Sequence, residues 1–210
     1  MKASDLTKRL AALEGFAAPD PALEQVATPT SAAVTLLGRA LGAGDLAGRS
    51  VADLGAGTGL LAIGAALLGA ERVVAVESDA AAIDIARRNA TSASASVTFV
   101  HRSVDGFRDP VDTVVMNPPF GAQRRHADRP FWETALDIAR GRVYAFALSS
   151  SRTFIARRAV ARRARVASTE RVPWELPYTF PHHRKRRVDL PVDLWVIAPA
   201  ERNDDPDAPS

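Results

Sequence analysis

Short runs of β-branched residues alternate with alanine-rich runs along most of the chain, and this alternation predicts an α/β fold with a mostly parallel sheet. The predicted strands are Ser50–Leu54, Arg72–Glu77, Val97–His101, Val111–Met116, Val143–Leu148, Val166–Val172 and Val188–Ile197. The predicted helices are Ser4–Gly15, a second one ending near Gly42, Gly59–Gly69, Asp79–Ala90, Pro130–Arg140 and Ser151–Arg165.

No internal repeat and no interdomain linker interrupts this pattern, which predicts one domain over residues 1–199. Residues 1–45 form a mainly helical segment expected to contribute to a ligand site, and the acidic tail 200–210 is expected to be disordered. The longest apolar run, Leu60–Ala70, is too short to cross a bilayer. We therefore expect a soluble, cytoplasmic protein without a membrane partner.

The chain has no cysteine, and its four histidines lack zinc-site spacing, so no metal site is expected. The net charge of +3 is unevenly distributed: residues 1–120 carry −3, residues 121–190 carry +10 and the last twenty carry −4. Arginine is 24 of the 27 basic residues, but a preference for arginine does not explain the clustering. The basic block favours a polyanionic partner such as nucleic acid.

A glycine-rich turn joins the first predicted strand to the following helix. Asp53 ends the strand, Gly55, Gly57 and Gly59 follow at alternate positions, and Glu77 ends the next strand. Glycines allow the backbone to turn sharply and to approach a ligand closely. The acid before the first glycine suits a cationic ligand better than a pyrophosphate, and Glu77 could hold ribose hydroxyls. The pattern predicts a site for S-adenosylmethionine and disfavours NAD without excluding it.

The tetrapeptide Asn117-Pro118-Pro119-Phe120 directly follows the strand Val111–Met116. The amine of a nucleobase is a poor nucleophile because its lone pair is delocalised into the ring. The Asn117 side-chain carbonyl and the Pro118 backbone carbonyl could accept its two N–H groups and direct the lone pair at a methyl group. Pro119 would fix the backbone, and Phe120 would stack on a flipped base. The motif therefore predicts methyl transfer to a base amine.

Several basic and aromatic residues after this motif are candidates for RNA binding. Arg124, Arg125 and Arg129 lie in the loop, Phe131 could wall the base pocket, and Arg152, Arg157 and Arg158 belong to a basic helix. The run that contains His183, Arg184, Lys185 and Arg186 could cover the bound strand. A solvated surface is the alternative interpretation for each of these charged groups.

From Leu23 to Ile197 the chain resembles the archaeal and eukaryotic methyltransferase-like proteins that form N6-methyladenosine in small-subunit ribosomal RNA. The segments that carry the resemblance are LEQ with Thr28-Pro29, DLGAGTGLLAIGAALLGA, VVMNPPFG, DRPFWETALDIAR, LSSSRTF and YTFPHHRKRRVDLPVDL. The resemblance implies a class I, Rossmann-like methyltransferase fold, in which a seven-stranded, mostly parallel sheet carries helices on both faces.

By position, the resemblance also implies residue roles and a partner. It implies cofactor contacts at Gln25, Thr28, Gly55, Thr58, Leu60, Glu77, Ser103 and Val104, and amine recognition at Asn117 to Phe120. It further implies a small zinc-containing activator protein docked by strand addition near Val97–Val100. Val26 replaces the family's tyrosine, Ser103 its aspartate, and Ala147-Leu148 a His-Lys pair.

Three other functions remain open at this point. Asn-Pro-Pro-Phe also serves methylation of N2 of guanine in RNA, so only the family segments favour adenine. Protein-glutamine methyltransferases usually carry tyrosine in place of Phe120. A non-catalytic RNA-binding scaffold would be expected to have an eroded motif, whereas Asp53, the three glycines, Glu77 and Asn117–Phe120 are all present.

Overall fold

A computed structural model of the protein describes residues 1–17, 25, 27–121, 126–174 and 190–199. The strands are β1 (Ser50–Leu54), β2 (Arg72–Glu77), β3 (Thr98–His101), β4 (Val111–Met116), β5 (Ala139–Leu148), β6 (Ala164–Arg171) and β7 (Val192–Pro199). The helices are α1 (Ala3–Ala11), α2 (Thr30–Gly42), α3 (Leu60–Leu67), α4 (Ala80–Ser92), α5 (Arg129–Ile138) and α6 (Arg152–Ala161). Single 3-10 turns occur at Val104–Gly106 and Ser149–Ser151.

The seven strands form one sheet in the order β3-β2-β1-β4-β5-β7-β6. Strands β1 to β5 are parallel, and β7 runs antiparallel between β5 and β6. One core cluster joins helices α1 to α4 to one face of the sheet, and a second joins α5 and α6 to the other. This arrangement confirms the predicted class I methyltransferase fold. The direction of strand addition reverses between β1 and β4, and ligands of such sheets bind outside the carboxyl ends of the strands at this point.

The central strands form where predicted because their side chains are covered on both faces. Positions 51–54 of β1 and 73–77 of β2 are buried throughout, as near-continuous apolar runs require in a parallel sheet. None of the helices in the described ranges is long and apolar enough to span a membrane.

Two predicted helix ends are wrong. Strand β5 begins at Ala139, directly after α5, because Gly141 lets it approach β4: a Cβ at this glycine would lie 2.7 Å from the Asp112 carbonyl oxygen. Helix α6 ends at Ala161, since Arg163 has a left-handed backbone with φ of +52° and β6 begins at Ala164.

A third predicted helix end is also wrong, and two boundaries remain open. Helix α1 ends at Ala11 instead of Gly15, and the chain then continues through a turn into a segment without regular secondary structure. The predicted tail 200–210 and the predicted beginning of the last strand at Val188 lie outside the described residues. The division into one domain and a tail stays a prediction.

Candidate active site

A cavity of about 670 Å³ opens at the carboxyl ends of β1, β2 and β4, where the sheet order reverses. Its volume falls in the usual range for small-molecule sites. The predicted cofactor residues on its wall are Gln25, Thr28, Asp53, Gly55, Gly57, Thr58, Leu60, Glu77, Ser103 and Val104. From the predicted catalytic motif, Asn117 and Pro119 line the same cavity.

The glycine loop after β1 has the conformation that a close ligand contact requires. Gly55 and Gly57 have φ of +71° and +53°, a region that other residues seldom adopt. A Cβ at Gly55 would lie 2.6 Å from Phe131 Cε1, and one at Gly57 would lie 2.8 Å from Phe16 Cζ. The two rings therefore close over the loop on the cavity side. Gly59 does not line the cavity; it is buried at the beginning of α3, against Ala86.

Glu77 holds the loop and the end of β2 in place. One carboxylate oxygen accepts the Gly57 N–H at 2.8 Å, and the other accepts the N–H groups of Ser78 and Asp79 at 2.7 and 2.9 Å. Asp79 in turn accepts a 2.6 Å hydrogen bond from Gln25 Nε2, which brings Gln25 to the cavity.

Asp53 is buried at the bottom of the cavity, where its carboxylate accepts the Ala62 N–H at 2.9 Å. Burial raises the pKa of Asp53 to about 7; the hydrogen bond from Ala62 opposes this shift, and the charge of Glu77 adds to it. The cavity is lined by four acidic residues, Glu14, Asp53, Glu77 and Asp105, and by no described lysine or arginine, which suits a cationic ligand.

The segment after α1 covers the cavity and is anchored by Asn89 of α4. Asn89 donates to the carbonyl oxygens of Glu14 and Thr58, both at 2.9 Å, and accepts the Glu14 N–H at 2.8 Å. Through these bonds one buried amide ties the glycine loop to the segment that carries Phe16. Neither Asn89 nor Phe16 was predicted from the sequence. Asn89 could have been noticed, because it is a polar residue among the otherwise apolar buried positions of α4.

At the other end of the cavity, the Asn117 side chain is oriented by Thr28. Asn117 Nδ2 donates to Thr28 Oγ1 at 3.0 Å, which fixes the amide and directs its carbonyl oxygen away from Thr28. Pro118 is buried behind the cavity wall. Phe120 does not line the cavity but packs against Trp174, with ring centroids 5.6 Å apart, and Trp174 packs against Phe146 at 5.0 Å.

Phe131 and the neighbouring Trp132 lie in different places, one at the cavity and one in the core. Phe131 lines the cavity beside Gly55, whereas Trp132 is completely buried against Trp195. The predicted contact of Phe131 with the RNA base stays a prediction. His126, which has φ of +66°, and Trp174 are further residues of this region that the sequence reasoning missed.

Several of the arginines predicted to bind RNA form ion pairs with acidic residues of the protein, which the sequence did not indicate. Arg129 and Arg158 both pair with Glu133, at 2.9 and 3.1 Å, and Arg152 pairs with Asp193. Arg157 is exposed. Arg124, Arg125, His183, Arg184, Lys185 and Arg186 lie outside the described residues. In the described ranges, no group of three His, Cys, Asp or Glu residues could hold a metal ion.

The chain matches known methyltransferases over different lengths. The family model described as ribosomal protein L11 methyltransferase (PrmA) matches residues 29–118, which contain the glycine loop and end inside the Asn-Pro-Pro-Phe motif. The rRNA N(6)-adenosine-methyltransferase Mettl5 of Drosophila melanogaster is 32% identical over 203 residues, or 93% of this chain and 95% of that protein.

Solved structures agree with the fold. The crystal structure of a candidate RNA methyltransferase from Pyrococcus horikoshii matches with a TM-score of 0.87 at 38% identity, covering 94% of this chain and 98% of that one. Magnesium protoporphyrin IX methyltransferase from Synechocystis, crystallised with S-adenosylmethionine, is 14% identical with a TM-score of 0.66 over 92% of this chain and 90% of that one. At that identity the second match indicates a shared fold alone.

Proposed function

We propose that this chain, which belongs to the family of rRNA N6-adenosine methyltransferases, transfers a methyl group from S-adenosylmethionine to N6 of an adenosine in structured RNA, with small-subunit rRNA as the substrate. The observation that carries the proposal is the placement of Asn117 and Pro119 in the cavity that also holds Asp53, Glu77 and the glycine loop. A methyl acceptor and a methyl donor would meet there.

The cavity fits S-adenosylmethionine. The backbone at Gly55 and Gly57 lines the cavity directly, and the carboxylates of Asp53 and Glu77 favour a ligand with positive charge. When bound, S-adenosylmethionine supplies an electrophilic methyl group on a sulfonium. Glu77 would hold the ribose hydroxyls, and Asp53 would face the amino-acid end.

The residues of the catalytic motif would position the base amine. Pro118 is buried, but its backbone carbonyl oxygen and the Asn117 side-chain carbonyl oxygen would accept the two N–H groups, so that the nitrogen would become pyramidal with its lone pair toward the methyl group. Thr28 holds the Asn117 amide in the required orientation. Phe120, which is half-buried and packs against Trp174, would offer its ring to the base as a stacking face. Most of the rate enhancement would then come from positioning.

The small zinc-containing activator belongs to the proposal as a partner at β3. This strand ends the sheet, and no other described strand pairs with its outer edge. Phe99 and Val100 are only half-buried there. An edge of this kind can accept a further strand from another protein. The cytoplasmic location likewise stays a prediction.

The proposal is tested by methyl transfer from labelled S-adenosylmethionine to unmodified small-subunit rRNA, with and without the activator, followed by nucleoside analysis. We expect N6-methyladenosine. The match to the L11 methyltransferase model does not favour a protein substrate, because it covers only the cofactor half of the chain. N2-methylguanosine would retain the chemistry and contradict the adenine assignment, and absence of any labelled nucleoside under both conditions would contradict the RNA substrate.

The raised pKa of Asp53 predicts that cofactor affinity increases with pH. Protonated Asp53 is neutral and cannot attract a cation, so binding must release its proton below pH 7. Lowering the pH from 8 to 6 should weaken S-adenosylmethionine binding roughly tenfold, as the ionised fraction of a group with this pKa falls. Calorimetric titration over this range measures the effect. Asp53→Asn should bind weakly at both pH values, and an unchanged slope in this variant would show that another group titrates.

A further inference from the structure

A completely buried carboxylate, Asp193 of β7, is held by two arginines from different elements. Arg152, at the beginning of α6, donates through Nε at 2.8 Å and Nη2 at 3.0 Å. Arg171, at the end of β6, donates through Nε at 3.1 Å. Burial acts to raise the pKa of Asp193, but hydrogen bonds from Arg152, Ser149 and Arg171 outweigh it and keep the pKa below the usual value. The carboxylate therefore stays ionised and fixes both guanidinium groups.

The side chains of both arginines are more than half exposed. The Arg152 and Arg171 side chains are 54% and 55% exposed, whereas Asp193 has no exposed surface. Two cations over one anion leave a local charge of +1. Arg171 Nη2 also donates to Ser149 Oγ at 2.8 Å, so four of the ten N–H groups of the pair are engaged by described residues.

The pair lies at the same edge of the sheet as the catalytic motif. Asp193 is paired with Ala147 of β5 and with Arg171 of β6, and Ala145 of the same β5 strand is paired with Met116, which precedes Asn117. Neighbouring strands are about 4.8 Å apart, so β7 lies roughly 10 Å from β4. A nucleotide chain whose target base reached Asn117 would pass over this part of the edge.

We propose that Arg152 and Arg171, fixed by Asp193 and Ser149, bind one phosphodiester group of the RNA next to the target adenosine. This inference rests on the proposed function. An arginine fork matches the oxygens of a phosphate, and a fork that is already immobilised loses little conformational freedom when the phosphate binds. One arginine would suffice to neutralise Asp193. The second arginine therefore leaves an excess positive charge, which a phosphate group would neutralise.

The test measures binding of an unmodified rRNA fragment at a series of salt concentrations. Arg152→Gln and Arg171→Gln should each weaken binding roughly tenfold. Each should also reduce the slope of log affinity against log salt by about 0.7, the value for one phosphate contact in a single strand. Because both arginines hold the same phosphate, the double variant should lose no more slope than either single variant.

Arg162→Gln is the matched control. Arg162 lies near the opposite end of α6 and forms a similar two-bond pair with Asp137, so its removal changes the charge equally but away from the catalytic edge. Its salt slope should remain that of the wild type. Arg171→Lys keeps the charge without the fork and should retain the slope while binding more weakly than the wild type. Affinity for S-adenosylmethionine verifies that each variant is folded.

The outcomes separate this site from the function on which it rests. Unchanged slopes in Arg152→Gln and Arg171→Gln, with a lower melting temperature, would mean that the arginines serve the fold alone. Equal losses in all three glutamine variants would mean a general charge effect. Either result overturns the site while methyl transfer to RNA by the wild type still supports the function. A wild type that neither binds nor methylates RNA overturns both.

Discussion

Replacing Asn117 by alanine is expected to lower kcat for methyl transfer to RNA by about 100- to 1000-fold, while affinity for S-adenosylmethionine stays close to that of the wild type. The estimate follows from the usual cost of removing one preorganised polar contact at a reacting centre. Single-turnover transfer at saturating cofactor, with cofactor affinity measured separately, distinguishes the two quantities.

Thr28→Val provides the comparison that assigns this effect to orientation. Valine has nearly the shape of threonine but cannot accept the hydrogen bond from Asn117 Nδ2. The amide remains but loses the bond that orients it, so we expect a smaller loss of kcat, on the order of tenfold, since one net hydrogen bond is removed. Retention of more than a tenth of the wild-type kcat by Asn117→Ala would contradict the assigned role of this residue.

The sequence predicts the fold well where local and tertiary preferences agree. Strands β1, β2 and β4 are apolar on both faces, and their boundaries match the predicted ones. The prediction is wrong at β5, because pairing begins at Ala139 through contact of Gly141 with the distant Asp112 carbonyl. A contact of this kind leaves no periodic signal in either segment.

The same distinction applies to the site. Asp53, Gly55 and Gly57 follow one another in a recognisable motif, and each has a place in the cavity. Asn89, by contrast, acts on Glu14 across 75 residues, and nothing in either local sequence indicates the pairing. Counting basic residues shows where positive charge is concentrated, but it does not show which acidic residues these side chains pair with. The prediction of a basic RNA-binding helix therefore missed that Arg152 reaches a buried carboxylate 41 residues away.

Gly55→Ala should produce the second large effect, a loss of S-adenosylmethionine affinity of about 100-fold. An alanine with a left-handed backbone lowers the stability of the folded protein by roughly 1–2 kcal/mol, and overpacking against a fixed neighbour adds about 1–3 kcal/mol. The new Cβ would lie 2.6 Å from Phe131 Cε1. The protein can relieve this contact only by moving the loop or the ring, and both form the wall of the cofactor cavity. Calorimetric titration with S-adenosylmethionine measures the loss.

Gly48→Ala separates backbone strain from the close contact. Gly48 has φ of +68°, almost the same as Gly55, but no atom lies within 4 Å of its Cβ position. We expect this variant to lose stability and keep its cofactor affinity, because the strained turn lies away from the cavity. An equal loss of affinity in Gly48→Ala would mean that destabilisation of the whole fold, and not the wall of the cavity, limits binding.

A double-mutant cycle then isolates the contribution of Phe131. Phe131→Ala removes part of the cavity wall and should weaken binding by itself. In the Gly55→Ala background it also removes the clash, so its cost there should be smaller or reversed in sign. The strain of the left-handed alanine remains in the double variant, and recovery should therefore be incomplete. Strict additivity of the two substitutions would mean that the ring and the loop do not compete for the same space.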